Sequence, residues 1–384
     1  MKHRVLLYDS NELDRIDWPD TEDGRYAKAY LEPLMREGKE PFFHNVQTDL
    51  FLARIDNLVL PVTVNEGEYE NSYVCSPYTH YVRYAKKELK LLQNPLLEKC
   101  LSALLSVVGS FMRQSQINKV VNVNNWLLST NLYPQLTGKQ AVDVLEAVRE
   151  RFPSHAIVFR SLCPTLHAEL IAALQAAGCR LVPSRQIYMY RPDDAPSGKS
   201  KARWLIKRDY GLIEKNGYSF VSSEEITDED VPRIAELYKL LYLDKYSYDN
   251  PQFSEALVRL ARASGVLKLC GLRKDGRLDA VMGYFNRNGV MTTPLFGYDT
   301  RLPQSVGLYR MLSACLIREA GGSGDLLHES SGAAQFKRNR GAVAEMEYSA
   351  VFDGHLPLSR RWCWSLLDRL LNGIGVPIMQ KRKL

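Results

Sequence analysis

The sequence predicts an α/β (α+β) chain of two domains, each a mixed, largely antiparallel sheet flanked by helices. Three observations lead there. The 384 residues exceed one ordinary core and fit two domains of about 150–200 residues. Residues 266–299 read as three successive strands joined at Asp275-Gly276 and Asn288-Gly289, the strongest short hairpin signals. The string Pro-Gln-x-x-Gly stands ahead of an amphipathic run twice, at 134–138 and 303–307, as a duplicated unit would leave it.

In chain order, residues 1–45 carry no readable pattern. Residues 49–64 read as a hairpin turning at Asp56-Asn57, and 95–114 as an apolar helix. Then come a strand over 119–133, a helix over 137–152, a strand over 155–162, a helix over 164–178 and a strand over 179–191. A Pro-, Gly- and Ser-rich seam follows at 191–201, which divides the chain into domains 1–195 and 196–384. Beyond it, 218–226 is strand-like. Thr227 or Asp228 caps a helix rich in early acid, and Pro251 and Gly265 bracket a second helix. After the three-strand meander, Leu308, Met311, Leu312, Cys315 and Leu316 fall at helical spacing, one stripe for a sheet. A strand over 325–330, a short helix over 332–341 and a strand over 346–354 complete the second half.

Composition excludes several classes. The 45% hydrophobic and 24% charged fractions are those of a globular protein. No apolar stretch approaches the roughly 18–20 residues of a bilayer span, and the start turns acidic within a dozen residues, unlike a secretory signal. The expectation is a cytoplasmic protein with no membrane partner. Seven cysteines without a Cys-x-x-Cys pair, Cys100 and Cys315 in apolar runs among them, read as reduced, buried thiols. No metal-ligand cluster, Ser-His-Asp order or P-loop is present, so no metal is expected. Residues 1–200 hold 23 basic and 23 acidic residues, so the whole net charge of +6 lies beyond them. A polyanionic ligand, a phosphorylated cofactor or RNA, fits that half.

The element order, with Gln304-Ser305-Val306-Gly307-Leu308-Tyr309 leading from the last meander strand into a helix, resembles the GNAT N-acetyltransferase superfamily. Its phosphate loop runs Gln/Arg-x-x-Gly-x-Gly/Ala, and here Tyr309, like Gln140 in the first copy, replaces the small last residue. Two such domains, with Phe336-Lys337-Arg338-Asn339-Arg340-Gly341 after the following strand, resemble the Fem family of aminoacyl-tRNA-dependent peptidyl transferases and their acetyltransferase relatives. The resemblance implies two GNAT-like domains, the N-terminal one degenerate and the C-terminal one catalytic. It implies an acyl-CoA donor or, as the alternative, aminoacyl-tRNA, with an amine of a small molecule or peptide precursor as acceptor.

Amine acylation needs a proton acceptor, a polarised carbonyl and a held donor. Donor phosphates suit the unpaired amides of a helix N-terminus, which selects Gln304, Ser305, Gly307 and Leu308, with Arg301 and Arg310 adding charge. By the resemblance, Lys337 stabilises the oxyanion or a donor phosphate. His328, Glu329 and Asp299 are the candidate proton acceptors, and Tyr298 and Tyr246 candidate substrate contacts. A third reading, a non-catalytic binding module on the same fold, gains from Tyr309 in place of a small residue.

Overall fold

The computed structural model describes residues 3–89, 94–192 and 200–377, which form two compact units. The first runs to Ser184, takes in Ser247–Gln252 and resumes at Glu347; the second holds Arg185–Tyr246 and Phe253–Met346. The expected boundary at 195/196 lies outside the described residues.

The first unit opens with β1 (Val5–Tyr8) and α1 (Glu22–Arg36), two elements in the stretch where the sequence showed no pattern. Thr21 starts α1 by accepting the Gly24 amide, a side-chain N-cap. The hairpin β2 (Asp49–Ile55) and β3 (Leu58–Asn65) turns at Asp56, which takes φ +49°. Next come α2 (Ala85–Glu88), α3 (Pro95–Gln114), β4 (Val120–Val123), α4 (Gly138–Arg151), β5 (Ala156–Leu162), α5 (Pro164–Ala176) and β6 (Arg180–Tyr190). The strand expected over 119–133 stops at Val123, because Asn124 and Leu127 turn left-handed. The Asn side chains then replace the ladder: Asn131 accepts the Trp126 amide and Asn124 its indole N–H, local bonds that compete with strand pairing.

Helix α3 corrects two expectations. At 20 residues it is long and apolar enough to cross a bilayer, and Cys100 on it is exposed while the other six cysteines are buried. Sequence hydropathy read in short runs did not register a helix whose two opposite faces are both apolar.

The second unit begins with α6 (Ser200–Lys215) and β7 (Ser219–Val221). Then come α7 (Val231–Tyr238), continued as a π-helical segment over Lys239–Tyr246, and α8 (Glu255–Ser264). The meander β8 (Lys268–Lys274), β9 (Arg277–Arg287) and β10 (Val290–Tyr298) is antiparallel as expected. It leads through a 3-10 turn at Gln304–Val306 into α9 (Leu308–Ser323), β11 (Leu326–His328), α10 (Ala334–Asn339) and β12 (Val343–Phe352). Helix α11 (Leu358–Leu370) follows in the first unit.

The same motif builds both units. In the first, β4 and β5 are parallel neighbours joined by α4; in the second, β10 and β11 are parallel neighbours joined by α9. The β1–β2, β2–β3, β3–β4, β5–β12, β6–β11, β9–β10, β8–β9 and β7–β8 pairs are antiparallel. The strand order is β1-β2-β3-β4-β5-β12 in one and β6-β11-β10-β9-β8-β7 in the other. The last strands are thereby exchanged along the chain, since β12 completes the sheet of β5 and β6 that of β11. In the second core Met282 and Met291 on the sheet meet Met311, Leu312 and Cys315 of α9, the stripe its spacing predicts.

Candidate active site

The two parallel strands of the second unit pair only over Val290–Thr292 and Leu326–His328. Past that point β10 shifts register against β9 between Thr292 and Leu295 and runs on to Tyr298. The other strand turns the opposite way. The Glu329 amide donates to Tyr188 O at 2.9 Å, and the Tyr188 amide to Ser330 O at 3.1 Å, so the chain after β11 follows β6. A wedge opens between the strand ends, with the start of α9 directly after β10. Crevices outside the carboxyl ends of parallel strands are where such sheets bind ligands.

Two polar atoms at this level are buried without a partner, Thr293 Oγ1 and Glu329 Oε2. They stand one residue beyond the last paired rung, Thr292–His328. Unsatisfied buried groups are rare and call for an explanation, such as a ligand that completes them. Burial pushes the Glu329 carboxyl well up, against the opposing pull of Lys337 and Arg340. Its charge in turn helps to raise Tyr190 and Tyr309, which places Tyr309 of the first α9 turn within its field.

Lys337 is buried, on the turn expected, but its hydrogens are engaged. Nζ donates to Glu329 O at 2.6 Å and Ser331 O at 2.8 Å, with Ser330 O at 3.4 Å. Burial lowers its pKa while Glu329 opposes that shift. The ammonium therefore holds a loop in which Ser330, Gly332 and Ala333 all take positive φ, costly for the two non-glycines. It acts as the clamp that presents Glu329, and a direct oxyanion role would require it to release a carbonyl.

The phosphate-loop residues divide. Gly307 takes φ +78° as the residue capping α9, with no side-chain cap, and an added Cβ would stand 3.2 Å from Leu212. The first backbone bond into the helix is Met311 N–H to Gly307 O. The amides of Leu308, Tyr309 and Arg310 precede it, the donors that a helix start leaves to a ligand. The Gly307 amide is itself spent on Gln304 O at 3.0 Å. Gln304 and Ser305 are exposed, whereas the Leu308 side chain is core, so its contribution is the amide alone. The Tyr309 ring fills the last loop position, edge-on to Phe336 at 4.8 Å and Phe296 at 5.7 Å. The first copy is different. Thr137 and Gln140 form a reciprocal capping box, and a Cβ on Gly138 would meet Ala173 at 2.6 Å. There the glycine serves helix packing and the Thr137 and Gln140 amides are already satisfied.

Four expected residues take other parts. Arg310 pairs at 3.0 Å with Asp209, a carboxylate it shares with Arg208 and Arg340, and Arg301 pairs with Asp299 and Glu236 at 2.8 and 3.0 Å, so both guanidiniums are already engaged. Asp299 is buried under Arg301, Arg233 and Arg277. Hydrogen bonds from Arg301 and Arg233 hold its carboxyl far below the usual range despite burial. A carboxylate so stabilised in its charged form is a poor proton acceptor. His328 is buried and its Nδ1 accepts the Ser330 amide at 3.1 Å, a hold on the turn that carries Glu329.

Tyr298 and Tyr246 are brought together. Lys245 donates to Tyr298 Oη at 3.0 Å and lies 5.5 and 5.7 Å from the two ring centroids, while Tyr246 is exposed. A cleft of about 380 Å³, lined by Gln186, Gln335, Arg338, Asn339, Glu345 and Met346 among others, lies along α10. Arg338 also donates to Tyr188 Oη at 3.0 Å. Sequence reasoning missed Thr293, Lys245 and Asp209. The basic run 201–208 ends one residue before Asp209, which is fully buried and binds Arg208, Arg310 and Arg340.

Gly307→Ala is expected to cost about 1–2 kcal/mol from the left-handed backbone alone, measured by urea unfolding. An unchanged midpoint would remove the conformational argument for this loop.

No family model matches the chain, and no curated protein matches its sequence. Solved structures similar to it include the C-terminal domain of a lysylphosphatidylglycerol synthetase from Agrobacterium fabrum (14% identity, 66% of this chain and 81% of that one, TM-score 0.45). A tandem GNAT protein of the clavulanic acid biosynthesis pathway aligns over 92% of this chain and 99% of that one (10% identity, TM-score 0.41). FemX aligns over 60% and 79% (8% identity, TM-score 0.43). Among the described residues no group of three or more His, Cys, Asp or Glu could hold a metal ion. Each unit is thus an α/β unit with a mixed, largely antiparallel sheet whose one parallel pair is joined by a helix, and in the second that helix starts without a side-chain cap.

Proposed function

We propose that the chain is an N-acyltransferase whose second unit carries an acyl group from an acyl-CoA to the amine of a small molecule or peptide precursor. The observation that carries this reading is the buried, unpartnered Glu329 Oε2 at the point where β10 and β11 part. Donor phosphates sit on the Leu308–Arg310 amides, and the acyl carbonyl lies in the wedge. The amine nitrogen attacks that carbonyl carbon, its proton passes to Glu329, and the carbon–sulfur bond breaks as the thiolate leaves and is protonated. A raised carboxyl is suited to this, because its basicity lies closer to neutral pH than that of a free glutamate.

Aminoacyl-tRNA is the alternative donor, favoured by a second half that holds all of the +6 net charge and by Arg338 in the cleft along α10. Thermal unfolding of the full chain with millimolar coenzyme A or acetyl-CoA separates the two. Ligand at about 100 times its Kd adds about 2.7 kcal/mol of stability, a clear rise in Tm. No rise with either compound, together with tRNA binding that weakens steeply with salt, would replace the CoA donor by tRNA. Failure of both would leave a binding module without transfer.

A further inference from the structure

We infer that the outer face of α3 is a docking surface for an anionic phospholipid bilayer, on which the helix lies flat. This face belongs to the first unit alone and takes no part in the proposed transfer reaction.

At about 100° per residue, Leu96, Cys100, Ala103, Leu104, Val107 and Phe111 fall within one arc of about 100° on α3. Every one of them is exposed; Leu96 is 74% and Leu104 56% accessible. The opposite face already serves the core, where Met112 and Val108 pack with Cys363, Trp364 and Leu367. Only 11% of the apolar window of α3 is buried. Scattered apolar side chains are normal on a protein surface, but a continuous stripe marks a partner.

The chemistry around the stripe selects a lipid surface. Trp362 of α11, 41% exposed, stands edge-on to Phe111 at 5.6 Å, and Leu358 one turn earlier is 77% exposed. Aromatic and aliphatic side chains at one rim are what the interface between headgroups and acyl chains takes up. The flank is cationic: Lys99 lies beside the arc, and Lys86 reaches Ser106 Oγ on that side at 2.8 Å. The single carboxylate of the helix, Glu98, is on the inward-turned side and half-buried. Cations beside an apolar stripe complement anionic headgroups.

The topology excludes a crossing. Strand β3 precedes α3 and β4 follows it, and the two are paired from Val62–Val123 to Asn65–Val120. One passage of α3 through a hydrocarbon layer of about 30 Å would put these partners on opposite sides. The helix therefore meets the bilayer in its plane, apolar arc down, as interfacial helices do.

The test is flotation of the full chain with phosphatidylcholine vesicles and with vesicles that also contain phosphatidylglycerol. The wild type is expected to float with the anionic vesicles, less at high salt and less with the neutral ones. The double variant L104E/V107E is expected to bind at least about tenfold more weakly. Both positions are exposed, so urea unfolding of the variant should match the wild type. An environment-sensitive dye on Cys100, the one exposed thiol among the described residues, should shift to the blue on anionic vesicles. Wild type that stays unbound at low salt, or a variant that floats equally well, overturns the proposal. A wild-type dimer that ignores vesicles and becomes monomeric in L104E/V107E would make the face a contact between copies, which also overturns it.

Discussion

Glu329→Gln is expected to lower kcat by about 10²–10⁴, the range for removal of a positioned proton acceptor, with the fold intact. Gln keeps the shape and removes the charge, so the chain should unfold at least as late as the wild type. The sign follows from linkage. Burial raises the folded pKa of Glu329, so the native state binds more protons than the unfolded one between the two pKa values. Stability from this group is undiminished below the unfolded glutamate pKa and falls as pH climbs through the folded one. The variant loses that slope and should gain most over the wild type in alkaline buffer. The activity of the wild type should instead rise with pH, along an acid limb well above the ordinary glutamate range, because the acceptor must first lose its proton. A pH–rate profile beside urea unfolding at two pH values reads both effects. An E329Q enzyme with unaltered kcat would remove Glu329 from the chemistry.

The largest loss of stability is expected at a residue far from the proton transfer. Asp209→Asn should cost about 3–5 kcal/mol, the range for breaking a buried ion pair, because it strands the buried guanidinium of Arg340. Arg208 and Arg310 reach the same carboxylate from partly exposed positions, where water screens their loss. Arg340 also donates to Phe336 O at 2.9 Å and stacks on the Phe336 ring at 3.3 Å. Asp209 of α6 thus ties together α10, which carries Lys337, and α9, which begins at the donor loop. D209N should therefore lower kcat as well as the urea midpoint, whereas Arg208→Ala should shift the midpoint by under about 1 kcal/mol. Equal midpoints for D209N and wild type would show that the cluster is not the link between these helices.

Much of the second half was legible because its signals are local. Asp275-Gly276 and Asn288-Gly289 turn the meander, and the spacing from Leu308 to Leu316 made α9 a core-facing helix. Some of the expected residues do meet: Lys337 binds the carbonyls of 329–331, and Tyr298 and Tyr246 share Lys245. Their roles were not. A carboxylate is a base or a counter-ion according to what stands over it, and Arg233, which settles Asp299, is 66 residues away in the chain. Likewise Lys337 looked like a free cation until three carbonyls from 329–331 closed on it.

By itself the sequence determined much of the alternation of strands and helices, the antiparallel meander and the repeat of Pro-Gln-x-x-Gly ahead of a helix. Those follow from periodicity and turn chemistry, which act over a few residues. Tertiary structure decided how the two turns differ physically. Gly307 leaves α9 uncapped, while Thr137 and Gln140 close α4 upon themselves and Gly138 packs on Ala173. It alone exchanged the closing strands, setting β6 beside β11 and β12 beside β5. It also left one apolar face of α3 outside every core. Each outcome depends on which distant surfaces meet, and spacing along the chain carries no record of that.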